Sequence, residues 1–173
     1  MNAKKNDTNI IKAYANITNR WKQKNIDNSS IVEERTFVRI NGKVYKINKN
    51  NKNVVFEKDI ETLRPIARWM SKTFGSKIYI NPTVKVPQGI RTPDFIYKKK
   101  QWNLKTIRGS SLDNIIRKTK GQSNNFILDL TNSKLNFHNI LTQIENIYKS
   151  PYRRWVDIVI IKIGNNFNIY QRK

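Results

Sequence analysis

The chain has 173 residues, enough for one domain with its own core and a short appendage. Lys and Arg total 34 against 12 Asp and Glu, and the resulting charge of +22 points to a polyanionic partner, because basic side chains that displace counterions from phosphates supply most non-specific nucleic-acid affinity. With no cysteine and one histidine, His138, the sequence excludes disulfides, zinc–thiolate centres, cysteine nucleophiles, multi-histidine metal sites and paired catalytic histidines.

In chain order, residues 1–30 read as a polar leader. The start, MNAKKNDTNIIK, has no continuous apolar stretch and is no signal peptide, and no later run approaches the ~20 apolar residues that cross a bilayer. Ile10, Ala13, Tyr14 and Ile17 have helical spacing. Two alternating runs, Thr36–Ile40 and Lys43–Ile47, flank Asn41-Gly42 and predict a β-hairpin. The polar stretch 48–53 marks the expected boundary between a basic N-terminal extension, 1–52, and a main domain, 53–173.

From there the pattern tightens. Ile60, Leu63, Ala67, Met70 and Phe74 predict a helix stopped by Gly75, with Pro65 in its first turn or at a kink. Residues 77–80 read as a strand and 81–92 as a loop. Asp94–Tyr97 and Gln101–Ile107 form a hairpin through the lysine-rich turn 98–100. Ser110 or Ser111 caps a helix that runs to about Lys120. Residues 126–130 read as a buried strand, Phe137–Tyr148 as an amphipathic helix, and 155–163 and 167–171 as strands around Gly164-Asn165. The order α-β-β-β-α-β-α-β-β implies an α/β fold, a mixed central β-sheet flanked by helices.

The residues that carry chemistry cluster in Thr92-Pro93-Asp94 and Trp102-Asn103-Leu104-Lys105. On a strand, residues two apart face the same way, so Asn103 and Lys105 share a face and Asp94 reaches them across the hairpin. Each has a plain structural reading beside the chemical one: Asp94 as a turn cap, Lys105 as a solvated strand lysine, Glu61 as a surface helix residue. Trp102 and Tyr97 are either core or stacking platforms for unpaired bases. The lysine turn, with the other cations nearby in sequence, reads as a guide for a phosphate backbone.

This pattern, with Gly89-Ile-Arg-Thr-Pro-Asp before it and Lys120-Gly-Gln-Ser after it, resembles the PD-(D/E)XK nucleases, and more closely the C-terminal nuclease toxins of contact-dependent inhibition systems. The resemblance runs from about Glu57 to the C-terminus. It implies a metal-dependent endonuclease acting on tRNA first, or on DNA, with Mg²⁺, Mn²⁺ or Zn²⁺ held by Asp94, Asn103 and Glu61 (Glu57 the alternative acid). It implies that Lys105 orients the attacking water and offsets phosphate charge. Arg91, Thr106, Arg108, Ser110, Lys118 and Gln122 are the substrate-contacting candidates. Asn103 departs from the pattern, which has Asp or Glu there; a neutral oxygen binds a hard cation more weakly. A natural variant, an Asp→Asn change that permits production of a lethal toxin, and a silent domain are the three readings of that departure. The resemblance further implies delivery as part of a larger bacterial toxin, action in the target-cell cytoplasm, and an acidic immunity protein as partner. A metal-independent ribonuclease of barnase type and a nucleic-acid-binding module without catalysis are the rival functions.

Overall fold

A computed structural model describes residues 12–22, 31–50, 52–56 and 60–173. The chain starts with β1 (Tyr14–Asn16), a short α1 (Thr18–Trp21), β2 (Val32–Glu34), the hairpin β3 (Phe37–Ile40) and β4 (Lys43–Lys46), and β5 (Val54–Val55). The main body follows as α2 (Ile60–Phe74), β6 (Ile78–Ile80), β7 (Thr83–Val84), β8 (Phe95–Tyr97), β9 (Lys100–Thr106), α3 (Leu112–Arg117), β10 (Asn125–Asp129), α4 (Phe137–Lys149), β11 (Ile158–Ile163) and β12 (Asn166–Arg172). The expected order of helices and strands is there, with the two-residue β7 added inside the loop after β6. No helix among the described residues is long and apolar enough to cross a membrane.

Eight strands form one mixed sheet in the order β1-β12-β11-β10-β9-β8-β6-β2. β9, β10 and β11 run parallel at its centre, β8 and β12 flank them antiparallel, and β1 pairs antiparallel with β12. Parallel strands at the centre are covered on both faces, so they are apolar at successive positions rather than at alternate ones. In β10, Ile127 packs on one face while Phe126 and Leu128 pack on the other; in β11, Ile158 and Ile160 oppose Val159 and Ile161. The first face is covered by α2 through Leu63, Ile66, Ala67, Met70 and Phe74. The second is covered by Leu112 and Ile116 of α3 and by Ile140, Ile144 and Ile147 of α4.

Both helices of that second face are capped as their sequences dictate. The Ser111 hydroxyl accepts from the Asn114 amide, and the Asn136 side chain accepts from Asn139. The Asn41-Gly42 turn of the β3–β4 hairpin has positive φ at both residues, 50° and 78°, as a two-residue hairpin turn of matching twist requires.

Two expectations are corrected. The segment around Tyr14 is not helical: Tyr14–Asn16 pair antiparallel with Tyr170–Arg172, and only Thr18–Trp21 form a short helix. Ile10 lies outside the described residues. The boundary near residue 52 does not set the first part apart from the main sheet, because β1 and β2 are that sheet's two edge strands. The β3–β4 hairpin packs through Val38 against Val54 and Val84, with Ile40, Tyr45 and Ile90 beside them.

Candidate active site

β9 is longer than β8. The two pair from Phe95↔Trp102 to Tyr97↔Lys100, after which β9 continues alone on that side to Thr106. Asp94 stands where β8 begins, and main-chain groups pin it there. Its Oδ2 accepts from the Leu104 amide at 2.8 Å, its own N–H donates to Asn103 Oδ1 at 3.3 Å, and its carbonyl accepts from the Asn81 amide at 3.0 Å. Asn81 Nδ2 donates to the carbonyl of Pro93 at 3.1 Å, which holds the approach to Asp94 as well.

A pocket of about 310 Å³ opens beside this corner. Asp94, Leu104, Lys105 and Thr106 line it from the strands, Thr62 and Leu63 from α2, and Gln122 from the loop before β10. Gln122 Nε2 donates to the Thr92 carbonyl at 2.8 Å, so a hydrogen bond fixes the side chain at the wall. Lys105 is half-buried and makes no hydrogen bond or ion pair with any described residue. An ammonium in that position is placed to meet an anionic ligand. The corner therefore juxtaposes an oriented carboxylate, an unengaged cation and a fixed amide, a set suited to phosphoryl chemistry.

Other sequence candidates fall elsewhere. Glu61 projects into solvent, its side chain 81% exposed, and pairs with Arg64 at 2.5 Å. Arg64 also bonds Glu34 at 2.7 Å, so this acid belongs to a surface network with β2. The helical wheel explains why: relative to Leu63, Glu61 is turned by roughly 160°, nearly opposite the stripe that docks α2 on the sheet. Glu57 lies outside the described residues. Asn103 is fully buried and does not line the pocket; its Oδ1 is engaged by Asp94, and its Nδ2 has no hydrogen-bond partner among the described residues. Among those residues no three acids or histidines gather as a metal would require. Among the described residues, Asp94 is the one carboxylate lining the pocket. This fits at most a lightly held cation of the Mg²⁺ type, which takes one or two carboxylates and completes its sphere with water and substrate phosphate.

The substrate-contacting candidates divide. Thr106 and Gln122 line the pocket, and Arg91 stands in a neighbouring one that also includes Gln122. Arg108, Ser110 and Lys118 line neither. Ser110 instead accepts from Gln143 Nε2 through its carbonyl at 2.7 Å, joining the α3 and α4 segments. The lysine turn is at the wrong end: Lys98 lies about 13 Å along the strand from Asp94. Its ammonium sits 4.3 Å from the centre of the Trp21 ring. Trp102 and Tyr97 are wholly buried and belong to the core. Sequence reasoning missed Thr62 and Arg39, and the Asn-Gly turn was the signal that could have placed Arg39 at a hairpin tip.

Comparison with known proteins bears on the same segment. Residues 91–167 match the family described as the contact-dependent growth inhibition CdiA C-terminal domain. The matched stretch contains Asp94, Lys105 and Gln122, whereas Glu61 falls outside it. The fold is similar to that of a chain in the CdiA-CT/CdiI toxin and immunity complex from Burkholderia pseudomallei, with a TM-score of 0.51 and 18% sequence identity over 81% of this chain and 98% of that one. No curated protein sequence matches the chain significantly.

Proposed function

We propose that this chain is a growth-inhibiting toxin domain of CdiA type that cleaves phosphodiester bonds, with tRNA as the first substrate to test and DNA the second. The observation that carries the reading is the convergence of Asp94 and Lys105 on one pocket beside Gln122. The charge of +22 and the CdiA C-terminal match over residues 91–167 support it. In this reading the fold is of PD-(D/E)XK type, and the domain arrives in the cytoplasm of a target cell on a larger bacterial protein.

The chemistry follows from the corner's geometry. Asp94, aimed by the Leu104 amide, orients the water that attacks phosphorus. The Lys105 ammonium offsets the negative charge that grows on the phosphoryl oxygens, where it acts in a pocket partly shielded from bulk water. Gln122 holds a non-bridging oxygen. A divalent cation shared by Asp94 and the substrate phosphate would supply Lewis-acid stabilisation of the same charge. The buried Asn103 amide accepts from the Asp94 N–H and supports the carboxylate from behind.

The decisive experiment incubates the purified chain, and its Asn103→Asp form, with tRNA, rRNA and plasmid, in Mg²⁺, in Mn²⁺ and in excess EDTA. Metal-dependent cleavage that Lys105→Ala abolishes is the expected result. Cleavage that persists in EDTA would favour a metal-independent ribonuclease. No cleavage by either form leaves a nucleic-acid-binding module. The cognate immunity partner is proposed to be an acidic protein that meets the basic surface; failure of any acidic neighbour-encoded protein to bind the chain would remove that part.

A further inference from the structure

Next to the pocket at Asp94 lies a second one, of about 360 Å³. Gln122 lines both, so the two pockets are neighbours across that side chain. The second pocket is bounded by Arg39 and Asn41 at the tip of the β3–β4 hairpin, by Arg91 and Pro93 on the segment leading to Asp94, and by Gln101 of β9. No acidic residue lines it among the described residues.

Arginine is abundant in this chain, and two of them in a pocket would be unremarkable if they were free surface groups. Arg91 is not free. Its Nη1 donates to the carbonyls of Lys118 at 3.4 Å and Lys120 at 2.5 Å, and its Cδ lies 3.9 Å from where a Cβ would sit on Gly121. Neutral carbonyls orient the guanidinium without cancelling its charge, and no carboxylate of the described residues pairs with it. Arg39 likewise has no hydrogen bond or ion pair with a described residue, while its neighbours Val38 and Ile40 anchor the hairpin in the small core with Val54 and Val84. A fixed guanidinium and a second arginine carried on a braced arm line one pocket.

We propose that Arg39 and Arg91 form a second phosphate subsite, which grips a single polynucleotide strand beside the bond presented to Lys105. This rests on the nuclease reading for the identity of the strand. Guanidinium forks match phosphate oxygens bidentately. Pockets of this size each suit a ligand no larger than a small molecule, so consecutive nucleotides of an unpaired strand fit where a duplex would not. The hairpin is then a working part of the site, an arm over the strand.

The test measures binding of a short labelled single-stranded RNA by fluorescence polarisation across a salt series, in the Lys105→Ala background so that the strand survives. Arg39→Ala and Arg91→Ala should each weaken binding about fivefold near 0.1 M salt and flatten the slope of log K against log salt by about one. Lys72→Ala, on the exposed side of α2, should leave the slope unchanged. Thermal melts check folding, and Arg91→Gln replaces Arg91→Ala if loss of the carbonyl contacts unfolds the turn. Slopes for Arg39→Ala that match those of Lys72→Ala overturn the subsite, even if the unaltered chain cleaves RNA. Altered slopes together with an unaltered chain that cuts no nucleic acid would instead keep the subsite and remove the nuclease.

Discussion

The β8–β9 hairpin has lysines at both ends, and they do different things. At the turn, Lys98 and Lys99 adopt positive φ, 49° and 61°. Lys98 lies over Trp21, and burial there lowers the pKa of its ammonium. Lys100 pairs with Asp157 at 3.1 Å. At the open end Lys105 has no such partner among the described residues, and it faces a pocket with a carboxylate held by a main-chain amide. Density of charge in sequence therefore marks the basic surface, whereas main-chain anchoring of the neighbours marks the site.

The contrast predicts its largest effect at Lys105. Lys105→Ala should cost about 10²–10³-fold in cleavage with an unchanged melting temperature, while Lys100→Ala changes the rate less than about threefold. Equal losses at both ends would erase the distinction. Asn103→Asp should come next: a carboxylate buried against Asp94 costs on the order of 3 kcal/mol in metal-free buffer, and Mg²⁺ or Mn²⁺ should restore part of it in denaturant titrations. Stability that is indifferent to metal would argue against cation binding at this corner.

A third expectation concerns alkaline pH. Burial raises the hydroxyl pKa of Tyr97 and Tyr148, and pushes that of Tyr170 up to about 12. Such a hydroxyl keeps its proton in the folded chain after the unfolded chain has lost its own. The stability it contributes is therefore whole below about pH 10 and is lost as pH climbs through the folded value. Lys98, lowered by burial, has the opposite sign and offsets only part of that loss. Melting temperature should fall steadily above pH 10, and a flat profile would contradict the burial of these hydroxyls. The smallest effect is expected at Lys99→Gly, which removes a strained left-handed lysine and should stabilise the chain by about 1 kcal/mol without touching cleavage.

Local pattern explains which elements were legible in the sequence. The Asn41-Gly42 hairpin, α2, α4 and the central strands announce themselves through turn chemistry or periodicity. β1 does not: Ala13, Tyr14 and Ile17 have helical spacing, and pairing with β12, far away in sequence, overrides it. Asp94 and Lys105 could be brought together by strand alternation across one hairpin, whereas Gln122, between α3 and β10, was reachable only through the resemblance. Glu61 could not be placed that way. Its direction depends on which stripe of α2 docks, and Leu63, Ile66 and Met70 turn it outward. Arg39 was missed because it reaches the neighbouring pocket from a segment that reads as an appendage.

One feature of the sheet governs the order in which the molecule can assemble. β12 sits between β1 and β11, and the amide of Ile169 in β12 donates to the hydroxyl of Thr18, 151 residues earlier, at 2.9 Å. The earliest described strand thus waits for the latest before it has a neighbour. Closing so long a loop before any contact rewards it is slow, so a chain emerging in stages keeps β1 unpaired until its final strand is made. Clipping β12 away would leave β1 with no neighbour in the sheet and turn β11 into an edge.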